Sequence, residues 1–350
     1  MPTKAKVITA ILNWNGSKML QKFLPSVVKY STGEDRAVAV IDNCSDDDSV
    51  DVLKAQFPEV GIITLDRNYG FAEGYNRGLE QLDAEYFVLL NSDVEVTEGW
   101  MDSIIRLMDS NRDIAAAQPK LMSEKAKDTF EYSGACGGYI DRLGYPFCRG
   151  RIFGTLEKDK GQYDTTAEIF WASGAAMFVR ADVYRKAGGL DKRFFAHMEE
   201  IDLCWRIKNM GYRIVCVPTS KVYHVGGATL DKSNPLKTYL NFRNNLYMLY
   251  KNLPDNRLAT VMAARMWLDL TAAAMFMMKG LRKDAAAVIK AGRDFRRMKK
   301  ELQADRQALP HRDTDTLTGM SRISIIAQYH LKGRKTFSSL PMEPTNIRTR

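Results

Sequence analysis

The sequence predicts an α/β fold built on a mostly parallel sheet with helices on both faces, and three observations predict it. Apolar, β-branched runs alternate with amphipathic stretches through the first third of the chain. The runs are continuous rather than alternating, as strands buried on both faces are. Each run ends on Asn or Asp, which gathers polar residues on one rim, and ligands bind outside the carboxyl ends of such strands. The 350 residues are 45% hydrophobic and 27% charged, a globular balance with material for one large or two modest domains.

The first run, KVITAILN (6–13), precedes a helical stretch from about Lys18, and AVAVIDN (37–43) precedes one near Ser49. VGIITLD (60–66) leads into a helix from Phe71, and EYFVLLN (85–91) into one from Glu98. Reading each strand to its end puts Asn13 and Asn15 after the first and Asp42 and Asn43 after the second. Asp66 to Asn68 follow the third, and Asn91 to Asp93 the fourth. From about 123 to 164 the period lapses into a Gly- and Tyr-rich stretch, EYSGACGGYIDRLGYPFCRG, expected as a variable loop or small β insertion. WASGAAMFVR (171–180) is strand-like; Ile201, Cys204, Trp205 and Ile207 then keep helical spacing up to Gly211, and RIVCVP (213–218) is another strand. This organisation divides the chain into a domain over 1–250 and a helical, basic extension over 251–350 with a flexible end.

Net charge is +9, but residues 279–350 hold 17 Lys/Arg against 7 Asp/Glu, which leaves 34 against 35 in the rest. A chain neutral over its first 278 residues has no basic face for nucleic acid. In the Met- and Ala-rich stretch 258–292, Arg265, Asp269 and Lys279 interrupt the apolar run, so the sequence reads as helix rather than a clean membrane span. Residues 279–300 carry 9 Lys/Arg against 2 Asp/Glu. Two readings stay open: an anionic membrane surface binds this extension, or its Met/Ala face packs on the core. Five cysteines without a CxxC pair suit reduced thiols in a cytoplasmic protein. The N-terminal apolar run of about seven residues is too short for a signal h-region and reads as the first strand.

The loop after that strand is NWNGS, without the GxGxxG of a dinucleotide fold; GxxxxGK[ST], HExxH and GxSxG are also missing. What remains is a crevice lined with Asn and Asp, suited to hydrogen-bonding a base and to holding a diphosphate through a metal. Asp93 is a candidate ligand for Mg²⁺ or Mn²⁺; an N-cap should sit directly before its helix, whereas Val94-Glu95-Val96 follows it. Glu199, Glu200 and Asp202 open a helix, where acids favour the positive dipole end and where a general base also projects well; both readings stand. His224, beside glycines, suits either a metal ligand or a structural histidine.

LNWNG, VIDNCSDDDS, RNYGFAEGYNRGL, LLNSDVEV, WASGAAMFVR, EEIDLCWR and YHVGG, in that order, resemble family 2 glycosyltransferases of the Rossmann-like GT-A fold, nearest the bacterial rhamnosyltransferase-like subgroup. The resemblance runs from about Lys6 to about Asn245. It implies inverting transfer of a sugar from a nucleotide diphosphate donor to an acceptor hydroxyl, in cell-surface polysaccharide or lipid-linked glycan synthesis. Asp42 then contacts the base, with Asn13, Asn68, Gly70 and Asn76 beside the nucleotide. Asn91-Ser92-Asp93 fills the DxD position, with Asn where the first Asp is usual; Asp93 and His224 hold the divalent cation. Trp171, Ser173 and Gly174 lie near the donor sugar and acceptor, with Glu199 and Asp202. Glu200 falls where the family's catalytic Asp stands, its extra methylene moving the carboxylate by roughly 1.5 Å. A catalytically silent nucleotide-sugar-binding or scaffold protein would usually have lost one of Asp93, Glu200 and His224, and all three are present. A sugar nucleotidyltransferase would need a Gly-rich, Arg-containing first loop, which NWNGSKML lacks.

Overall fold

The computed structural model describes residues 5–226, 234–342 and 345–346. Strands β1 (Ala5–Asn13), β2 (Arg36–Asp42), β3 (Gly61–Thr64) and β4 (Ala84–Asn91) alternate with helices α1 (Ser17–Ser31), α2 (Ser49–Gln56) and α3 (Gly70–Leu79). They pair in parallel in the order β3-β2-β1-β4. Asn13 lies opposite Asp42, Asp42 opposite Thr64, and Leu12 opposite Asn91, so the carboxyl ends form one rim. Along β1 the side chains alternate as a pleat requires: Val7 and Ile11 join the core under α1 and α2, Ile8 and Ala10 the core under α3.

Beyond β4 the sheet becomes mixed. After β5 (Val94–Val96) comes α4 (Asp102–Ser110), which begins later than Glu98 because Thr97–Met101 form turns around Gly99, whose φ is +67°. β6 (Ile114–Ser123) then enters the sheet. A small second sheet follows, made of β7 (Gly138–Asp141), β8 (Pro146–Cys148), β9 (Arg151–Ile152) and β10 (Thr155–Leu156). The stretch 123–164 is therefore the β insertion of the two expectations, with Tyr139, Phe147 and Ile152 fully buried rather than looped into solvent. β11 (Ala167–Glu168) and β12 (Ala176–Arg180) return to the main sheet, β12 running antiparallel to both β4 and β6. After α5 (Ala181–Lys186) and α6 (Glu199–Asn209), β13 (Arg213–His224) runs parallel to β6 and antiparallel to β5. It continues past Pro218 to His224 through a register shift between Val217 and Lys221.

The C-terminal part holds α7 (Pro235–Asn252), α8 (Asp255–Met278) and α9 (Arg282–Ala308), then β14 (Met320–Ser321), which adds to β7 in parallel. The expected flexible end instead returns to the body in its described part. Tyr139 Oη and Thr345 Oγ1 are 2.7 Å apart, and Asn346 bridges to Ala167. The last four residues lie outside the described ones. A cut at residue 250 thus falls inside α7, which packs on both α6 and α9.

Candidate functional site

The rim begins with Asp42, buried at the end of β2. Its Oδ1 accepts from Asn13 Nδ2 (3.1 Å) and Ser45 Oγ (2.6 Å), and its Oδ2 accepts from the Ser45 backbone N–H (3.0 Å). A Cβ on Gly16 would stand 2.3 Å from Asn13 Oδ1, so the loop after β1 needs glycine to pass over that amide. Ser92 faces the same loop. On the neighbouring edge Asn68 Oδ1 accepts from Asn43 Nδ2 (2.9 Å) and the Gly70 N–H (2.8 Å), and Asn43 Oδ1 accepts from Tyr69 N–H (2.9 Å). Gly70 has φ +75°, and a Cβ there would lie 2.5 Å from the Phe195 ring. Asn43, given no role in the sequence reading, thus pins the turn that carries Asn68.

Topology brings Asp93 and His224 together, since β5 and β13 pair with Val94 opposite His224. Asp93 Oδ1 is 3.0 Å from His224 Nε2, and Asn91 Nδ2 is 3.3 Å from the same nitrogen. Behind the imidazole, Nδ1 stands 3.4 Å from Oε1 of the buried Glu131. Ser133 fixes that carboxylate through its N–H (2.5 Å) and its hydroxyl (3.2 Å). Burial pulls the His224 pKa down, but the two carboxylates outweigh it and hold the ring protonated up to about 10. For Asp93 burial pushes upward and the imidazolium prevails, leaving its carboxyl below its usual range.

Asp93 Oδ1 and His224 Nε2 lie 3.0 Å apart, and a carboxylate oxygen and an imidazole nitrogen are both donors that a divalent cation accepts. These two residues would hold such an ion if it displaced the proton between them. Among the described residues no group of three or more His, Cys, Asp or Glu is placed to hold a metal ion, so diphosphate and water would have to supply the remaining ligands. Glu131 is the partner that a carboxylate–histidine–metal arrangement calls for, and the sequence reading missed it because 93 residues separate it from His224.

The acidic pair opens α6. Glu200 is half-buried, and burial pushes its pKa up to about 7 against opposing backbone hydrogen bonds at the helix start. Glu199 is pushed well above its ordinary value by burial and by the neighbouring Glu200 charge. One carboxyl oxygen on each, Oε2, is buried without a partner. Gly174 backs this position, since a Cβ there would lie 3.7 Å from Glu200 Cβ. Asn91 N–H donates to Ala175 O (3.1 Å), so the Asp93–His224 pair and the acidic pair flank one segment. The approach to α6 is strained: Phe195, His197 and Met198 have φ of +65°, +70° and +72°. Asn244 of α7 holds that backbone, its Nδ2 lying 3.0, 2.8 and 2.7 Å from the carbonyls of Phe194, Ala196 and His197. Arg243 Nη2 adds bonds to Arg193 O (2.9 Å) and Phe194 O (3.0 Å). Neither residue carries a local motif by which the sequence could have declared this role.

Four expected site residues are drawn elsewhere. Trp171 is buried, its ring against Gly138 and its Nε1–H donating to Tyr139 O (2.9 Å), so it joins the two sheets rather than facing a sugar. Ser173 is also buried, its N–H donating to Gln118 Oε1 (2.9 Å). The Asn76 amide donates to Leu190 O (2.7 Å) and accepts from Tyr184 Oη (2.7 Å), fastening α3 to the segment before α6. Asp202 is fully buried in a charge network, accepting from Arg206 Nε (2.9 Å), Lys251 Nζ (2.9 Å) and Asn252 Nδ2 (2.8 Å). Asp202, two residues after Glu200, lies where α6 meets α7, and Lys251 and Asn252 of α7 hold it there as an anchor.

The sequence model described as glycosyl transferase family 2 matches residues 7–182, just over half of the chain. An N-acetylglucosaminyl-diphospho-decaprenol L-rhamnosyltransferase of Mycobacterium tuberculosis is 27% identical over 225 residues, covering 59% of this chain and 71% of that protein. Among solved structures, GalNAc-T7 with UDP, GalNAc and Mn²⁺ superposes with a TM-score of 0.58 at 14% identity, covering 88% of this chain and 58% of that one. S. aureus TarS 1–349 with UDP-GlcNAc gives 0.57 at 14% identity, over 86% of this chain and 83% of that one. With its Asn- and Asp-lined rim at the strand ends, its DxD-position carboxylate and its acidic pair at the start of α6, the chain belongs to glycosyltransferase family 2 and has the GT-A fold.

Proposed function

We propose that this glycosyltransferase moves its sugar with inversion, using Glu200 as general base and a divalent cation at Asp93 and His224. The observation that carries the reading is a carboxyl with a pKa near 7, one oxygen unpartnered, beside the segment that ends at a carboxylate–imidazole pair. A base works best when its pKa lies near the operating pH. When bound, the cation supplies positive charge to the departing diphosphate. Glu200 takes the proton of the acceptor hydroxyl, and that oxygen bonds to C1 of the donor sugar from the face opposite the leaving group. The C1–O bond to the diphosphate breaks with its electron pair, and single displacement inverts C1. Glu131 holds the His224 ring, Asn13 and Ser45 hold Asp42 for the base, and Asn68 and Gly70 shape the turn beside the nucleotide.

A nitrogen in the donor set favours Mn²⁺ over Mg²⁺, and the GalNAc-T7 structure contains Mn²⁺. The M. tuberculosis relative, named for rhamnose and a decaprenol-linked acceptor, supports dTDP-rhamnose as donor and a lipid-linked glycan as acceptor, in cell-surface glycan synthesis. In this reading the α/β body with α7 carries the transfer machinery, and α8 and α9 attach a cytoplasmic enzyme to the inner face of the membrane. A panel of dTDP-, UDP- and GDP-sugars with Mn²⁺ tests it by thermal shift followed by product stereochemistry. Stabilisation by one nucleotide class only with metal, and an inverted product, is expected; metal-independent binding or retained configuration would overturn the mechanism.

A further inference from the structure

α8 is built with its charges inside. Its buried positions are Val261, Arg265, Asp269 and Ala273, four residues apart and therefore on one face. Arg265 Nη2 donates to Asp269 Oδ1 (3.0 Å), its Nη1 donates to Leu143 O (3.3 Å), and its guanidinium lies 4.0 Å from the centre of the Tyr145 ring. The outward face is apolar: Met266, Trp267, Leu270, Ala274, Met277 and Met278 recur at helical spacing and are exposed, Trp267 by 67% and Met278 by 79%. A surface helix ordinarily does the reverse, and a continuous exposed apolar stripe marks an interaction face. An apolar cleft of about 470 Å³ between α8 and α9, lined by Met266, Leu270 and Ile289 among others, extends it.

What covers the stripe is indicated by charge. α9 runs beside it with Arg282, Lys283, Lys290, Arg293, Arg296 and Arg297 exposed, in a segment holding 9 Lys/Arg against 2 Asp/Glu. A second copy docked on the stripe would offer those cations no anionic counterpart on its own α9, which carries the same excess of Lys and Arg. Anionic headgroups above an acyl layer complement both the apolar and the basic part. By length and composition α8 also suits a bilayer crossing. Crossing would carry the Arg265–Asp269 pair into hydrocarbon and away from Leu143 and Tyr145.

The geometry points to an α8–α9 hairpin that lies in the plane of one leaflet, the Met266–Met278 stripe among the acyl chains and the α9 cations on anionic headgroups. This rests on the membrane attachment proposed above and adds the face, the orientation and the lipid charge.

Co-sedimentation with vesicles of equal parts phosphatidylglycerol and phosphatidylcholine, and with phosphatidylcholine alone, tests it on the full chain. Binding is expected only to the anionic vesicles, released by high salt, and the Trp267→Glu, Met278→Glu double variant should bind about a hundredfold more weakly. Each charge reversal at Lys283 or Arg293, both exposed, should cost at least about fivefold. Both apolar positions are exposed, so the double variant should unfold at the wild-type temperature. No wild-type binding to anionic vesicles would end the attachment reading itself. Wild-type binding that the double variant retains would overturn the stripe alone, and a wild-type dimer without lipid that the double variant dissolves would assign the stripe to a second copy.

Discussion

Replacing Glu200 with glutamine is expected to slow the enzyme and to stabilise it. Burial raises the carboxyl from 4.5 to about 7, which at about 1.4 kcal/mol per tenfold in proton affinity is about 3 kcal/mol. The folded pKa of this acid lies above its unfolded one, so its contribution to stability is complete below pH 4.5 and is lost as pH rises through about 7. Glu200→Gln carries no charge to bury. At pH 4.5 and below the variant should match the wild type; at pH 8 it should be more stable by about 3 kcal/mol, or about 4 °C for a chain of this size. Transfer should fall by about 10²- to 10⁴-fold, and wild-type kcat/KM should rise about tenfold per pH unit below about 7 and then level. Glu199→Gln is the control: burial and the neighbouring Glu200 carboxylate push the Glu199 carboxyl well above its ordinary value, and the amide there is expected to change transfer much less than at Glu200. Calorimetric melts at the two pH values and single-turnover rates measure this. A Glu200→Gln enzyme that transfers at the wild-type rate, or whose stability gain does not depend on pH, would refute the reasoning.

Three further outcomes are expected. Asp93→Ala should abolish the metal dependence of nucleotide diphosphate binding, so that titration calorimetry gives the same weak affinity with and without EDTA. Glu131→Gln should weaken Mn²⁺ binding about 10- to 100-fold while leaving metal-free melting within a few degrees, measured by the resonance signal of free Mn²⁺; unchanged affinity would show that Glu131 does not position His224. Asn244→Leu removes the donor shared by three carbonyls of the strained approach to α6 and should cost about 1–3 kcal/mol of stability, with kcat lowered more than donor affinity. A variant destabilised by that amount but with unchanged kcat would confine Asn244 to folding.

The comparison of sequence with structure turns on range. Asn13, Asp42 and Asn91 were readable as one rim because continuous apolar strands end on them and parallel strands in register align their ends, with Asn68 in the turn after the third strand. Glu199 and Glu200 were readable because an acidic pair at a helix start has a local signature. Trp171, Asn76 and Asp202 carry the same kinds of motif yet pack inward, since burial depends on what lies opposite, and the partners Tyr139, Leu190 and Lys251 are 32 to 114 residues away. The mixed half of the sheet has the same cause: β12 is an apolar run like the others, and only its pairing with β4 and β6 sets its direction.

By itself, then, the sequence determined the period of each element, the polar ends of the strands and the chemical types at the site, all of which follow from side-chain spacing along a regular backbone. Tertiary structure decided which carboxylate stands behind His224, which amide holds the strained approach to Glu200, and which face of α8 turns outward. The Arg265–Asp269 spacing already put both charges on one face, but only the carbonyl of Leu143 and the ring of Tyr145 made that face the inner one. Contacts between residues far apart in the chain arise from the packing of whole elements, and no local pattern of residues encodes them.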